Sequence, residues 1–261
     1  MKRLHVNQAS ALHTALMLSL LLIPAAAILL FFVLMPAAKD RQLHNLLSAV
    51  IPRFFICIFL LTLAIEFFPD SLRFRRVSAK NLLWCVLPLL VALVNFPFSA
   101  LIGGEAQITR ISLLGLFLLK CLLIGIGEEV LFRGIVFCTL LQSFQKKKGA
   151  LLWPVFLSSL IFALFHLINL FDGMGILSVL QQIGYSFLIG AMLAAVLFKT
   201  DNLWVCVFLH VLFDVGGLLI FDLGIGNPQD LIFWILTIAV GVLCAVHIII
   251  TLIKQQKRLL L

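Results

Sequence analysis

Two carboxylates and a guanidinium interrupt a long apolar run: Glu128 and Glu129 stand side by side, and Arg133 follows four residues after the second. An ionisable group at bilayer depth costs about 2.5–3.5 kcal/mol on insertion scales, so residues of this kind mark sites of function. Two more apolar runs carry similar groups. One holds Phe162-Ala163-Leu164-Phe165-His166, and the other holds His210 and Asp214 at i,i+4 spacing. Glu, His and Asp are the residue types of hydrolysis. A carboxylate or imidazole can take a proton from water, and a neighbouring donor can stabilise the oxyanion that forms.

Each group also has a plainer reading. Glu129 and Arg133 share a helix face and can form a buried ion pair. His166 can be a packed, hydrogen-bonded core residue, and His210 can satisfy Asp214 through a local hydrogen bond. Gln181, Gln182, Tyr185 and Ser186 can line a polar cavity or simply join helices by hydrogen bonds. Glu128 lies about 100° round the helix from Glu129 and has no cation at i+4, which leaves it free to face a cavity.

The elements that must position these residues are membrane spans. The 261-residue chain is 63% hydrophobic and only 11% charged, against about 25% charged in soluble domains. The expected fold is therefore all-α, a single polytopic membrane domain over residues 1–261. Eight spans are predicted: Ala11–Met35, Leu46–Phe68, Asn81–Ile102, Ile111–Leu141, Leu151–Phe171, Ile176–Phe198, Leu203–Phe221 and Leu231–Ile253, with short connections and no soluble domain. The first is read as a span and not as a cleaved signal, because its apolar run far exceeds the roughly 7–15 residues of a signal peptide. The fourth is longer than one crossing needs. It is expected to tilt, or to loosen at Gly125 and Gly127 just before the carboxylates.

Charge supports this count. With both termini on one side, Lys2, Arg3, Arg73, Arg75, Arg76, Lys80, Lys146, Lys147, Lys148, Lys199, Lys254, Lys257 and Arg258 share that side, against Lys39, Arg41 and Arg110 on the other. Cytoplasmic loops carry such a basic excess. The net charge of +8 is thereby assigned to the inner membrane surface and not to nucleic acid. All six cysteines lie in apolar runs with no CxxC spacing, as small buried thiols do,.

Depth allows the polar groups to meet. Measured from the inner ends of their spans at 1.5 Å per residue, Glu128, His166 and His210 sit about 21, 18 and 14 Å deep. Two histidines and a carboxylate form a ligand set used by catalytic zinc. A metal-free scheme serves equally well: Glu and His activate a water for attack on a peptide carbonyl, and His210 with its partner at 214 stabilises the oxyanion.

The three motifs, Glu128-Glu129-x-x-x-Arg133, Phe162-x-x-x-His166 and His210-x-x-x-Asp214, resemble those of the CPBP family. These are the CAAX proteases and bacteriocin-processing enzymes, also called the Abi family, and they include the Ras-converting CAAX endopeptidase. The motif-bearing core spans residues 111–221, and the family's eight-span topology is similar to that of the whole chain. Asp214, where the eukaryotic endopeptidase has Asn, resembles the bacterial branch; an ionised Asp has no N–H to donate.

The resemblance implies an intramembrane endopeptidase in the bacterial cell membrane, with both termini cytoplasmic. It would cleave a membrane-associated peptide or protein, in bacteriocin or peptide processing or in self-immunity. Glu128 and His166 would activate the water, His210 and Asp214 would assist at the oxyanion, and Glu129 and Arg133 would shape the site, with Phe162 in support. A Zn2+ ion on Glu128, His166 and His210 and a metal-free glutamate mechanism both follow from it. Two other classes compete: a non-catalytic membrane scaffold or regulator, and a cation-coupled transporter. The absence of an inverted repeat and of paired broken helices counts against the transporter. The sequence sets no oligomeric state.

Overall fold

A computed structural model of the chain describes residues 25, 29, 40–145, 149–171 and 173–259. The span predicted at Ala11–Met35 lies outside the described residues. Among the described residues, seven helical segments are long and apolar enough to cross a membrane, and they coincide with the other seven predicted spans to within a few residues, apart from an early start at Arg41 and a late one at Val86. The protein is an all-α polytopic membrane protein.

The chain runs through α1 (Arg41–Phe67), short α2 (Ala79–Trp84), α3 (Val86–Val94) and α4 (Phe98–Gly103). Next come α5 (Leu114–Glu129), α6 (Cys138–Phe144), α7 (Leu152–Phe165), α8 (Ile176–Thr200), α9 (Leu203–Leu223) and α10 (Leu231–Leu259). Several starts are set by side-chain caps. Asp40 accepts from the Leu43 amide at 3.1 Å, Ser78 accepts from Asn81, and Asn202 accepts from Trp204, each satisfying an amide that the first helical turn leaves unpaired. Asp40 also pairs with Arg110, whose hydrogen bond holds the Asp40 carboxyl below the usual carboxylate range. Strands β1 (Ala106–Ile108) and β2 (Gly224–Gly226) form a two-stranded antiparallel sheet, with Gln107 opposite Ile225.

Two irregularities position the site. The third predicted span is broken into α3 and α4 at Asn95-Phe96-Pro97, because Pro97 has no amide hydrogen and disfavours helix in the residue before it. The break lets Asn95 donate its amide to the Phe213 carbonyl at 2.7 Å, next to Asp214. The fourth span does not loosen at Gly125 or Gly127, as the sequence suggested. Helix α5 is continuous through Glu129, and the backbone widens into a π-helical stretch only afterwards, over Val130–Phe137. The glycines serve packing instead: a Cβ on Gly125 would meet Val211 Cγ2 at 2.5 Å, and one on Gly127 would meet Cys57 Sγ at 3.2 Å.

The core is filled by α8 and α9, where Leu193, Ala194, Ala195, Val196, Leu203 and Cys206 are fully enclosed. Five of the six cysteines are buried and Cys138 is half-buried, all as free thiols. Helices α10 and α1 present isoleucines and phenylalanines outward, as surfaces facing lipid do. Where α9 crosses the α3–α4 break, Gly216 is required for space: a Cβ there would lie 2.9 Å from the Phe96 amide nitrogen and 2.9 Å from the Asn95 carbonyl carbon, backbone that cannot rotate aside. Gly216→Ala is therefore expected to lower stability by about 1–3 kcal/mol. Gly241→Ala, in open space on α10, is expected to be neutral or stabilising by up to about 1 kcal/mol. Thermal unfolding of both variants in detergent checks the pair, and an undisturbed Gly216→Ala would refute the close crossing.

Candidate active site

Three helices deliver the predicted residues to one place. The last turn of α5 carries Glu128 and Glu129, and the π-helical stretch after it carries Arg133. His166 opens a 3-10 turn at the end of α7, while α9 contributes His210 and Asp214. π-Helical turns are rare and recur at functional sites. Here the wide turn is held in part by the Cys138 thiol, which donates to the Arg133 carbonyl at 3.2 Å.

Glu129 is the innermost group and is wholly buried. Arg133 Nη1 lies 2.9 Å from its Oε1, as the i,i+4 spacing predicted, with the arginine side chain only 2% exposed. The guanidinium also sits 4.3 Å over the centre of the Phe162 ring, a cation–π contact that gains strength where water is excluded. Helical spacing predicts one partner for Glu129, but the structure shows two: His210 Nδ1 donates to the same Oε1 at 2.6 Å. That bond fixes the face of the imidazole and leaves Nε2 pointing at the other two acids.

His210 Nε2 lies 3.6 Å from Glu128 Oε2 and 3.7 Å from Asp214 Oδ2. Neither separation is a hydrogen bond. The local His210–Asp214 hydrogen bond that the spacing suggested is therefore not formed, because the ring is turned onto Glu129 across the helix interface. Asp214 Oδ2 is buried with no hydrogen-bond partner, and so is Glu129 Oε2. Glu128 is the most open of the three acids, its side chain 25% exposed against 15% for Asp214 and 0% for Glu129.

His166 Nδ1 lies 3.0 Å from the Phe162 carbonyl. A carbonyl only accepts, so Nδ1 carries the hydrogen and Nε2 is the nitrogen left for chemistry. The Phe162 ring meets both imidazoles edge-on, 5.1 Å from His166 and 6.0 Å from His210. His166 thus stands across Phe162 from His210. Glu128, Glu129, Arg133, Phe162, His166, His210 and Asp214 converge on one buried cluster.

The donor types suit zinc, but their arrangement does not form a ready metal centre. Among the described residues, no group of three or more His, Cys, Asp or Glu side chains is disposed to hold a metal ion. His210 Nδ1 is engaged by Glu129 and His166 Nδ1 by a carbonyl. No step below is routed through a metal.

Other polar residues of the spans fall into place. Gln182 accepts from Asn169 at 2.7 Å and ties α8 to the 3-10 turn after His166, which is the helix-joining role expected of it. Ser186 is buried, and the Tyr185 ring lies 6.3 Å from Phe213, beside Asp214. Two features were missed. Asn95 at the α3–α4 break was readable from Asn-x-Pro inside an apolar run. Lys120 on α5 binds Asp222 on α9 at 2.7 Å; the lone lysine in the fourth span was the signal, but its partner is 102 residues away.

Residues 110–216 match the sequence model of the family described as type II CAAX prenyl endopeptidase, Rce1-like. That stretch is similar to an Rce1-like domain. It begins at Arg110, just before α5, and ends at Gly216, so all seven clustered residues fall within the Rce1-like stretch. Over that stretch, less than half of the chain, the protein is similar to the type II CAAX prenyl endopeptidases. No curated protein and no solved structure matches the chain.

Within the Rce1-like domain, removing Arg133 alone strands a buried carboxylate. Arg133→Met is expected to cost about 3–5 kcal/mol, and Glu129→Gln added to it should recover part of that loss. A double-mutant cycle in thermal unfolding measures the coupling, and strictly additive losses would refute the pair.

Proposed function

We propose that the protein is an intramembrane endopeptidase that hydrolyses a peptide bond in a membrane-associated peptide or protein, using a water activated by Glu128. The observation that carries this reading is the row Arg133–Glu129–His210, which aims an imidazole Nε2 toward Glu128, the most open carboxylate of the cluster. A purely structural ion pair would leave Glu128 and His166 unexplained.

In the proposed reaction, Glu128 takes a proton from the water as its oxygen attacks the carbonyl carbon of the substrate. The carbonyl oxygen becomes an oxyanion, met by Nε2–H of a protonated His210, whose charge is complemented by Glu129 on one side and Asp214 on the other. The C–N bond then breaks, and the proton held by Glu128 passes to the leaving amine, which yields an amine and a carboxylic acid. Nε2 of His166 accepts a hydrogen bond from the water and orients it. Asp214 acts through His210, since an ionised carboxylate cannot donate to an oxyanion. Glu129 and Arg133 hold the imidazole in place and do not touch substrate.

The basic loops support an orientation with both termini in the cytoplasm, and Asp214 supports a bacterial cell-membrane setting. Peptide processing, including that of bacteriocins or in self-immunity, is the biological role that fits such an enzyme. The family description makes a quenched fluorescent prenylated CAAX peptide the first probe, with an unmodified apolar peptide beside it. Glu128→Gln, His166→Ala and His210→Ala, purified as folded protein, are each expected to lose about a hundredfold or more in kcat. Full activity in all three would sink the protease reading and favour a scaffold. Inhibition by a zinc chelator that added Zn2+ reverses would assign water activation to a metal, and insensitivity would assign it to Glu128 and His166 alone.

A further inference from the structure

A second ionic contact joins the two helices that carry the catalytic acids and His210. Lys120 on α5 and Asp222 on α9 meet at 2.7 Å, with side chains 14% and 17% exposed. Lys120 lies eight residues before Glu128, and Asp222 lies eight residues after Asp214. Each is therefore displaced by about 12 Å along its own helix from the cluster. The two helices are antiparallel and stay in contact along this length. Further along the interface Gly125 packs against Val211, and Glu129 meets His210. Phe117, Cys121 and Leu223 close the apolar layer around the ion pair.

The contacts of this ladder differ in what they can specify. Apolar side chains pack without strong directionality, and in a bilayer no hydrophobic force between helices selects one axial register over another. Gly125 fixes how closely the helices approach but not how far each has slid. A slide of a single residue's rise, about 1.5 Å, would break the 2.6 Å bond from His210 to Glu129. An ammonium–carboxylate pair at 2.7 Å in a half-dry interface does resist such a slide, since moving apart strands both charges.

Resting on the endopeptidase reading above, we infer that Lys120 and Asp222 are positioning residues: a register clamp that sets the distance of Glu128 and Glu129 from His210. They touch no substrate and act only through the cluster.

The test compares Lys120→Met and Asp222→Asn, the conservative Lys120→Arg, and the exchange that combines Lys120→Asp with Asp222→Lys. Each is read by kcat and KM on the cleaved peptide and by thermal unfolding in detergent. The two neutral variants are expected to lose about tenfold or more in kcat with KM changed by less than about twofold. Lys120→Arg and the exchange should return kcat to within about threefold of wild type. Neutral variants with lowered thermal stability but unchanged kcat would overturn the clamp and leave an ordinary structural pair. Loss of kcat that neither Lys120→Arg nor the exchange restores would overturn it as well. If wild-type protein cleaves no peptide, the endopeptidase reading falls and the pair is judged from unfolding alone: coupling that the exchange recovers upholds the pairing, and additive losses refute it.

Discussion

One buried oxygen, Oε1 of Glu129, holds the site together. It forms an ion pair with the Arg133 guanidinium and accepts the Nδ1–H of His210, and so links the π-helical stretch after α5 to the middle of α9. A carboxylate with no exposed surface is tolerable only because two donors converge on it. Each donor is held in turn, Arg133 by the face of Phe162 and His210 by its fixed ring face. Around this oxygen the remaining groups take their places. Glu128 is the most exposed of the three acids because Glu129, its neighbour about 100° round the helix, faces in,. His166 has Nε2 as its remaining nitrogen because the Phe162 carbonyl takes Nδ1.

The membrane makes this arrangement legible from sequence to an unusual degree. In a soluble protein, Glu128, His166 or Asp214 would be one polar residue among many. In apolar runs each stands out, and spans of fixed length convert position into depth. The seven described spans and the shared depth of Glu128, His166 and His210 were readable for that reason. Arg133 was paired with Glu129 by helical spacing alone, because the contact lies within one segment.

What escaped the sequence depends on relations between segments. That Glu129 binds His210, and not only Arg133, depends on how α9 rotates against α5, which no spacing encodes. The Lys120–Asp222 contact is of the same kind. The expectation that His210 would bond Asp214 failed because helical spacing allows a contact but does not aim a ring. Gly125 and Gly127 were read as weak points in a helix, yet their smallness serves neighbours on α9 and α1. Asn95-Phe96-Pro97 was legible in principle, since Pro97 stops a helix wherever it falls, but the surrounding apolar residues masked the break.

The wide turn over Val130–Phe137 has a consequence for how this protein can be lost. A π-helical bulge is in effect an α-helix with one residue inserted. An in-frame deletion of one codon between Glu129 and Arg133 would let the segment relax to a regular helix and bring the arginine round by about 100°. Every named site residue would still be present in the gene, yet the guanidinium would leave Phe162, and Glu129 would keep His210 but lose its cation. A homologue that has shed that single residue would keep all three motifs by composition while losing the spacing on which the first depends. For this fold, the count of residues between the second glutamate and the arginine carries as much information as their identities.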